Sequence, residues 1–299
     1  MPALNIALVT ARPARGLDED EPPLRLALQN AGCNVQIAEW DDANVDWASF
    51  DIALLRSAWD YAERVTEFLS WAEKASKLTH VLNPLPVVRW NTDKHYIAEL
   101  AAAGVATVPS TFVEPGADAG QAIRMFLERH DNAELVVKPS VGAGSRDVQR
   151  HRRSELAVAH AKRLLDANRS VLLQPYLERV DRDGETALMF FEGQFSHAIR
   201  KGPLLPPGGA AATTGLFATE AITPRLPDAD ELRLAQKILA AVPSGIPLYA
   251  RVDLIRADDG APCLLELELT EPSLFFAHAA GSAEKFTAAV LRWFQVHGK

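Results

Sequence analysis

Two apolar stretches near the C-terminus, Ala250-Arg251-Val252-Asp253-Leu254-Ile255 and Leu264-Leu265-Glu266-Leu267-Glu268-Leu269, carry acids at strand spacing. The turn Asp258-Asp259-Gly260 between them predicts a β-hairpin. Residues two apart on a strand share a face, so Glu266 and Glu268 point the same way, and the hairpin can bring Asp253 across to meet them. A polar outer face is the common use of an acidic hairpin. Here Val252, Leu254, Leu265, Leu267 and Leu269 predict a buried sheet instead. Carboxylates gathered in low dielectric repel strongly unless a cation sits between them. Hard oxygen ligands presented this way suit Mg²⁺, which binds through one or two carboxylates plus nucleotide phosphates.

At 299 residues the chain can bury a large core and divide into lobes. Residues 1–90 alternate strands near 6–9, 35–38 and 52–55 with two helical faces, one through Leu24, Ala27, Leu28 and Ala31, the other through Phe68, Leu69, Ala72, Ala75 and Leu78. That alternation predicts βαβ units and a parallel sheet. No GxGxxG follows the first strand, which argues against dinucleotide binding. A second unit is expected over 91–176, with a helix from Lys94 to Ala103 closed by Gly104. Its strands fall at 110–113, 135–138 and 171–174, and its further helices around 122–129 and 156–165. The third unit, 177–299, opens with a hairpin over 187–191 and 194–199 and continues through a long loop from Gly202 to Thr219. A helix over 230–241, the acidic hairpin and a last helix over 284–296 complete it.

The net charge of −8 argues against a nucleic-acid partner. No apolar run approaches a membrane span, and Met1 to Val9 carry no basic leader, so a cytoplasmic protein is expected. Cys33 and Cys263 lack a CxxC spacing and read as small buried hydrophobes, without a disulfide or zinc site. The basic run Arg150, His151, Arg152 and Arg153 is expected to be a solvated face at a strand-to-helix connection.

Lys138-Pro139-Ser140-Val141-Gly142-Ala143-Gly144-Ser145-Arg146 joins a strand-end lysine to a loop of small residues. Ser140, Gly142, Gly144 and Ser145 allow backbone N–H groups to approach phosphate oxygens, and Lys138 adds a point charge. No GKS or GKT follows, so this is not a Walker A loop. Gln174-Pro175-Tyr176-Leu177-Glu178 lies where the second and third units join; an adenine can be read there by backbone groups between apolar walls, with Glu178 and Glu185 near the ribose.

Taken in order, Lys94, Lys138, the glycine loop, Gln174 to Glu178, Arg251, Asp253, Glu266 and Glu268 resemble the ATP-grasp superfamily over residues 91–299. Residues 1–90 resemble the domain that usually precedes that fold. The resemblance implies an α/β protein in which two α+β lobes clamp ATP, Lys94 and Lys138 hold its α- and β-phosphates, and Asp253, Glu266 and Glu268 bind Mg²⁺. Arg251 would sit beside the transferred phosphoryl group. The last metal position is usually Asn in that superfamily. Glu268 keeps the oxygen ligand and adds a charge, which raises the cost of an empty site.

Members of this superfamily generally phosphorylate a carboxylate and let a nucleophile, often an amine, displace phosphate. Arg200 and Lys201, just ahead of the long loop, are expected to bind phosphate or substrate, and His197 is a secondary candidate for a general base. The loop itself, with Pro206-Pro207-Gly208-Gly209 at its centre, is expected to act as a lid. Arg56-Ser57-Ala58-Trp59-Asp60-Tyr61 stands at the end of the third strand, where open α/β sheets take ligands. There Arg56 is expected to grip a carboxylate and Asp60 an amino group, with Ser57, Trp59 and Tyr61 around them. The same run also fits an aromatic helix start with Asp60 as cap. Arg12, ahead of Asp18-Glu19-Asp20-Glu21, is a further candidate.

The Arg-Ser-x-Trp-Asp-Tyr run, Ser-His-Ala-Ile-Arg-Lys over 196–201 and Glu-Leu-Glu-Leu-x-Glu-Pro-Ser-Leu-Phe over 266–275 are similar to one subgroup, which includes the O-ureido-serine cyclo-ligase of D-cycloserine biosynthesis. That resemblance implies an amino-acid-like small-molecule carboxylate, O-ureido-D-serine, closed by its own ureido nitrogen. An intermolecular ligase joining an amino acid or peptide to an amine is the first rival, and a non-catalytic ATP-binding module the second. The oligomeric state is left open, a homo-oligomer included.

Overall fold

A computed structural model describes residues 3–130, 134–210 and 221–298, with the short strands at 213–214 and 217–218. The chain opens with β1 (Asn5–Thr10), α1 (Glu21–Asn30), β2 (Asn34–Glu39), β3 (Ile52–Ser57), α2 (Val65–Ala75), β4 (His80–Leu82) and α3 (Leu85–Asn91). The strands form a four-stranded parallel sheet in the order β2-β1-β3-β4. Every residue of β3 is buried, as a parallel strand covered on both faces requires. The order reverses beside β1, so the crevice off the carboxyl ends of β1 and β3 is the switch point where such sheets bind ligands.

The next body comprises α4 (Tyr96–Ala102), β5 (Thr111–Val113), α5 (Ala119–Arg129), β6 (Leu135–Pro139), β7 (Gln149–His151), α6 (Ser154–Asp166) and β8 (Val171–Pro175). Its antiparallel sheet runs β5-β8-β6-β7. Strand alternation divides its side chains: Leu135, Val137, Val171 and Leu173 pack with the α5 and α6 residues Ile123, Phe126 and Leu164, while Val136, Lys138 and Gln174 face a cavity.

The last body contains α7 (Val180–Asp183), β9 (Glu185–Phe191), β10 (Gln194–Lys201), β11 (Thr213–Thr214), β12 (Phe217–Ala218), β13 (Ile222–Arg225), α8 (Ala229–Ala240), β14 (Tyr249–Arg256), β15 (Pro262–Glu268) and α9 (Ser282–His297). Its main sheet has five strands in the order β13-β10-β9-β14-β15. Gly193, with φ of 74°, makes the tight turn between β9 and β10 that a side chain would strain. In the β14/β15 ladder Asp253 lies opposite Glu266 and Arg251 opposite Glu268. Val252, Leu254, Leu264 and Leu267 fall on the other face, in the core with α4 and α8. Asp228 and Glu231 form a reciprocal capping box that starts α8.

Asn83 joins the first sheet to this one. Fully buried, it donates from Nδ2 to the carbonyls of Tyr249 at 2.9 Å and Leu269 at 2.8 Å, and accepts the Leu248 N–H at 2.8 Å. Its amide thereby satisfies backbone groups that a packed junction would otherwise strand without water.

Three features escaped the periodicity. The strands β4 and β7 are three residues each, too short to show a period, and α3 begins at a Pro-flanked segment with little amphipathic pattern. Arg150 and His151 on β7 are buried, contrary to the solvated face expected for 150–153, while Arg152 and Arg153 are exposed as that face requires. The Arg150 Nε donates to Glu134 at 2.8 Å, its guanidinium lies 3.5 Å from the Tyr176 ring centroid, and Arg152 takes the other Glu134 oxygen at 2.8 Å. The partners come from other strands, so no local pattern announces them. In the described part of the long loop, the Arg150 N–H donates to the Gly209 carbonyl at 3.0 Å, and β11 pairs with β12. The rest of the expected lid, 211–212, 215–216 and 219–220, lies outside the described residues. Cys33 and Cys263 are both free and buried. No described helix is long and apolar enough to cross a membrane.

Candidate active site

A cavity of about 460 Å³ opens where the three bodies meet. The antiparallel sheet of the second body supplies Val136, Lys138 and Gln174; β14 and β15 supply Arg251, Asp253, Glu266 and Glu268. The glycine loop contributes Gly142, Gly144, Ser145 and Arg146, and the segment after β8 contributes Tyr176 and Leu177. Trp59 and Tyr61 reach it from the end of β3, and Lys94, Glu185 and Lys201 add to its charged lining. Gly144 and Ser145 both have positive φ, at 62° and 60°. Arg146 reaches across the loop to Glu63 of the first body.

The charges form an interlocked set. Lys201 Nζ lies 2.9 Å from Asp253 and 2.7 Å from Glu185. Arg251 donates from Nε to Asp253 at 2.8 Å, contacts Glu268, and gives its Nη1 to the Ser273 carbonyl at 3.2 Å. Lys94 bridges Glu266 at 2.9 Å and the Gly142 carbonyl at 2.9 Å, tying the glycine loop to β15. Burial opposes ionisation of Asp253 and Glu266, but the charges of Arg251 and Lys201 on the first, and of Lys94 and Lys138 on the second, hold both below the usual carboxylate range. Glu268 is pushed up to about 7 by burial and by Asp253 and Glu266, against Arg251. Glu271 is pushed up to about 8 by burial and by Glu268. Lys138 is brought down to about 8, chiefly by burial.

Among the described residues no three His, Cys, Asp or Glu groups converge on one point as metal ligands. Asp253, Glu266 and Glu268 are instead turned onto the protein's own cations. The donor set nevertheless fits Mg²⁺ in kind: hard carboxylate oxygens on one wall, with burial and neighbouring carboxylates raising Glu268 and Glu271.

Several residues singled out from the sequence lie elsewhere. Arg12 is exposed and paired with Glu39 at 3.0 Å, away from the cavity. Arg56 is fully buried behind the wall, donating to the Pro272 carbonyl at 2.9 Å and lying 3.7 Å from Asp20. Ser57 bonds Thr10 at 2.8 Å, and Asp60 accepts from the Trp40 indole at 2.8 Å; both brace the first sheet. His197 is buried between the Leu274 carbonyl, 2.8 Å from Nε2, and Ser196; burial lowers its pKa, and it does not face the cavity. Arg200 donates to the carbonyls of Asp183 at 2.8 Å and Arg182 at 3.1 Å, closing the end of α7 instead of meeting substrate. Ser140 is buried, with its backbone bonded to Lys94 and Ser170, and Glu178 is exposed beyond the cavity lining. In each case alternation or a chain turn points the side chain away, which a motif alone does not disclose. Sequence reasoning also missed lining acids: Glu271, which a continued strand count from Glu268 does not reach, and Asp18, in an acidic run that served only to place Arg12.

The architecture and its charged cleft are those of an ATP-grasp ligase. The structure of the ATP-grasp ligase PsnB complexed with minimal precursor, Mg and ADP superposes with a TM-score of 0.63 at 16% identity, covering 97% of this chain and 98% of that one, a likeness of fold. The crystal structure of D-cycloserine synthetase DcsG gives a TM-score of 0.91 at 43% identity, covering 97% of this chain and 99% of that one. The cycloserine biosynthesis protein DcsG of Streptomyces lavendulae is 44% identical over 293 residues, covering 95% of this chain and 97% of the relative. The family model described as D-cycloserine synthetase DcsG, N-terminal domain, matches residues 6–83. The chain belongs to the DcsG family of ATP-grasp ligases.

Proposed function

We propose that this enzyme closes O-ureido-D-serine to D-cycloserine with the hydrolysis of ATP to ADP and phosphate. The observation that carries the reading is the cleft itself, where Lys94, Lys138, Lys201 and Arg251 stand against Asp253, Glu266 and Glu268 beneath a glycine loop. ATP and Mg²⁺, when bound, supply the phosphoryl group and the charge that balances it. Asp253, Glu266 and Glu268 would hold the metal; Lys94 and Lys138, with the amides of Gly142, Gly144 and Ser145, would hold the phosphates. Gln174, Tyr176 and Leu177 would flank the base, with Arg150 stacked on Tyr176 keeping that ring in place. Glu185 lines the same cavity and would complete the nucleotide contacts.

Arg251 and Lys201 face the place where charge develops as the substrate carboxylate becomes an acyl phosphate. The ureido nitrogen bonded to the chain oxygen then attacks that carbonyl, forming the ring C–N bond as the C–O bond to phosphate breaks. Hydrolysis of the N-carbamoyl group releases carbon dioxide and ammonia. The nucleophile belongs to the same molecule, so its high effective molarity lets closure outrun hydrolysis of the acyl phosphate. Trp59 and Tyr61 would wall the organic substrate and exclude water.

ADP release with O-ureido-D-serine alone, accompanied by cycloserine, is the expected result. A requirement for an added amine would replace this reading with an intermolecular ligase. Lys138 gives a second test. Its folded pKa lies below the ordinary lysine value, at about 8, so its positive charge is half lost at that pH and continues to fall as pH rises. The KM for ATP should rise about tenfold between about pH 7 and 9 as the phosphate-binding charge disappears. Lys138→Arg should flatten that profile, because guanidinium stays charged. A flat profile in the wild type would remove Lys138 from the phosphate site.

A further inference from the structure

Most acids of the cavity are already answered by cations of the protein. Asp253 meets Lys201 and Arg251, Glu266 meets Lys94, and Glu268 meets Arg251. Asp18 differs. It lies in the connection from β1 to α1, lines the cavity, and is only 6% exposed. Its Oδ1 accepts the Asp20 N–H at 3.0 Å, while among the described residues no hydrogen bond reaches its buried Oδ2. A buried carboxylate oxygen without a donor costs free energy unless a ligand supplies one.

The charge of Arg56 acts on Asp18, but among the described residues no hydrogen bond joins Arg56 to the Asp18 Oδ2. Arg56 approaches Asp20 at 3.7 Å and gives its Nη2 to the Pro272 carbonyl. Asp20 itself accepts the N–H groups of Leu274, Phe275 and Phe276 at 2.5, 3.0 and 2.8 Å, fixing that turn. Arg251 reaches the same turn through the Ser273 carbonyl. Asp18 and Arg251 line the same cavity, and Asp18 stands at the crevice off β1 and β3 where this sheet order places ligands. Burial, the largest influence on Asp18, raises its pKa to about 6 against the lowering charge of Arg56. An α-amino acid carries its ammonium one carbon from its carboxylate, and the two charges call for such a pair of partners.

We propose that Asp18 binds the α-ammonium of the substrate through its carboxylate, while the substrate carboxylate is directed to Arg251. This rests on the reading of the substrate as an amino acid. Glu271, another lining acid with a raised pKa, is set apart because its surroundings are Glu268, Lys94 and Glu266.

The test compares ADP release by the full-length enzyme with O-ureido-D-serine and with its desamino counterpart, 3-(ureidooxy)propanoate. The wild type should prefer the ammonium compound by about 100-fold in kcat/KM, since the charged donor would be lost at a site built for it. Asp18→Asn should reduce that preference to a few-fold through KM for the amino acid, with KM for ATP and the melting temperature held. Asp18→Glu should recover part of it. Retention of the wild-type preference in Asp18→Asn overturns the assignment, as does its collapse in Glu271→Gln with Asp18→Asn unaffected. Should Asp18→Asn fail to fold, a wild type indifferent to the amino group overturns it equally. If O-ureido-D-serine releases no ADP at all, the substrate reading fails instead; Asp18 is then judged by the same comparison on whichever carboxylate of an amino-acid and desamino panel is turned over.

Discussion

Glu266→Gln should lower ADP release by about a thousand-fold or more, while the melting temperature stays close to that of the wild type. Glutamine keeps the shape of the side chain and an oxygen for Lys94, which lies 2.9 Å away, so the link from the glycine loop to β15 survives. What disappears is the negative charge on the wall that would face the metal and the phosphates. That charge is present at neutral pH because Lys94 and Lys138 overcome burial and hold Glu266 ionised. Steady-state ADP release and a thermal melt on the same preparation separate the two effects. Full activity in this variant would refute the metal assignment.

Asp253→Asn should fail in both respects. Asp253 is 2% exposed and carries the contacts of two cations, Lys201 at 2.9 Å and Arg251 at 2.8 Å. Removing its charge leaves Lys201 to Glu185 and Arg251 to Glu268 with one buried negative charge fewer between them, which costs about 3–5 kcal/mol for a buried pair broken on one side. Turnover should vanish and the melting temperature should fall. The pH dependence carries the sign. Arg251 and Lys201 outweigh burial and depress the folded pKa of Asp253, so its contribution is complete above the ordinary aspartate pKa and is lost as pH falls through the lower folded value. The variant should therefore lose part of the acid-limb decline of the wild type. A wild-type melting temperature in Asp253→Asn would show that the ion pairs are not what holds β10 to β14 at this point.

Much of this arrangement was legible in the order of residues. The alternation in β14 and β15 predicts that Glu266 and Glu268 share a face and that Asp253 crosses to them; the ladder sets Asp253 opposite Glu266. The lysine at the end of β6 and the small residues after it predict a loop over a cleft, and the cleft contains Lys138, Gly142, Gly144 and Ser145. The Trp59 and Tyr61 positions follow from the rule that ligands sit off strand ends. Their neighbours Arg56, Ser57 and Asp60 illustrate its limit. Adjacent residues at a strand end diverge, and these three turn inward to Pro272, Thr10 and Trp40. His197 and Arg200 were misread for a similar reason, since the carbonyls that claim them lie in the turn at Leu274 and at the end of α7.

The chain by itself determined the alternation that makes a parallel sheet, the buried acidic hairpin and the glycine loop, because each is written in side-chain periods of two or 3.6 residues or in the backbone freedom of small residues. Tertiary structure alone decided which carboxylate meets which cation, that Arg150 lies buried on Tyr176, and that Asp18 opens into the cavity while Asp20 pins a turn more than 250 residues along the chain. Such pairings depend on distances between segments remote in sequence. Burial then sets their energies, and no local pattern encodes it.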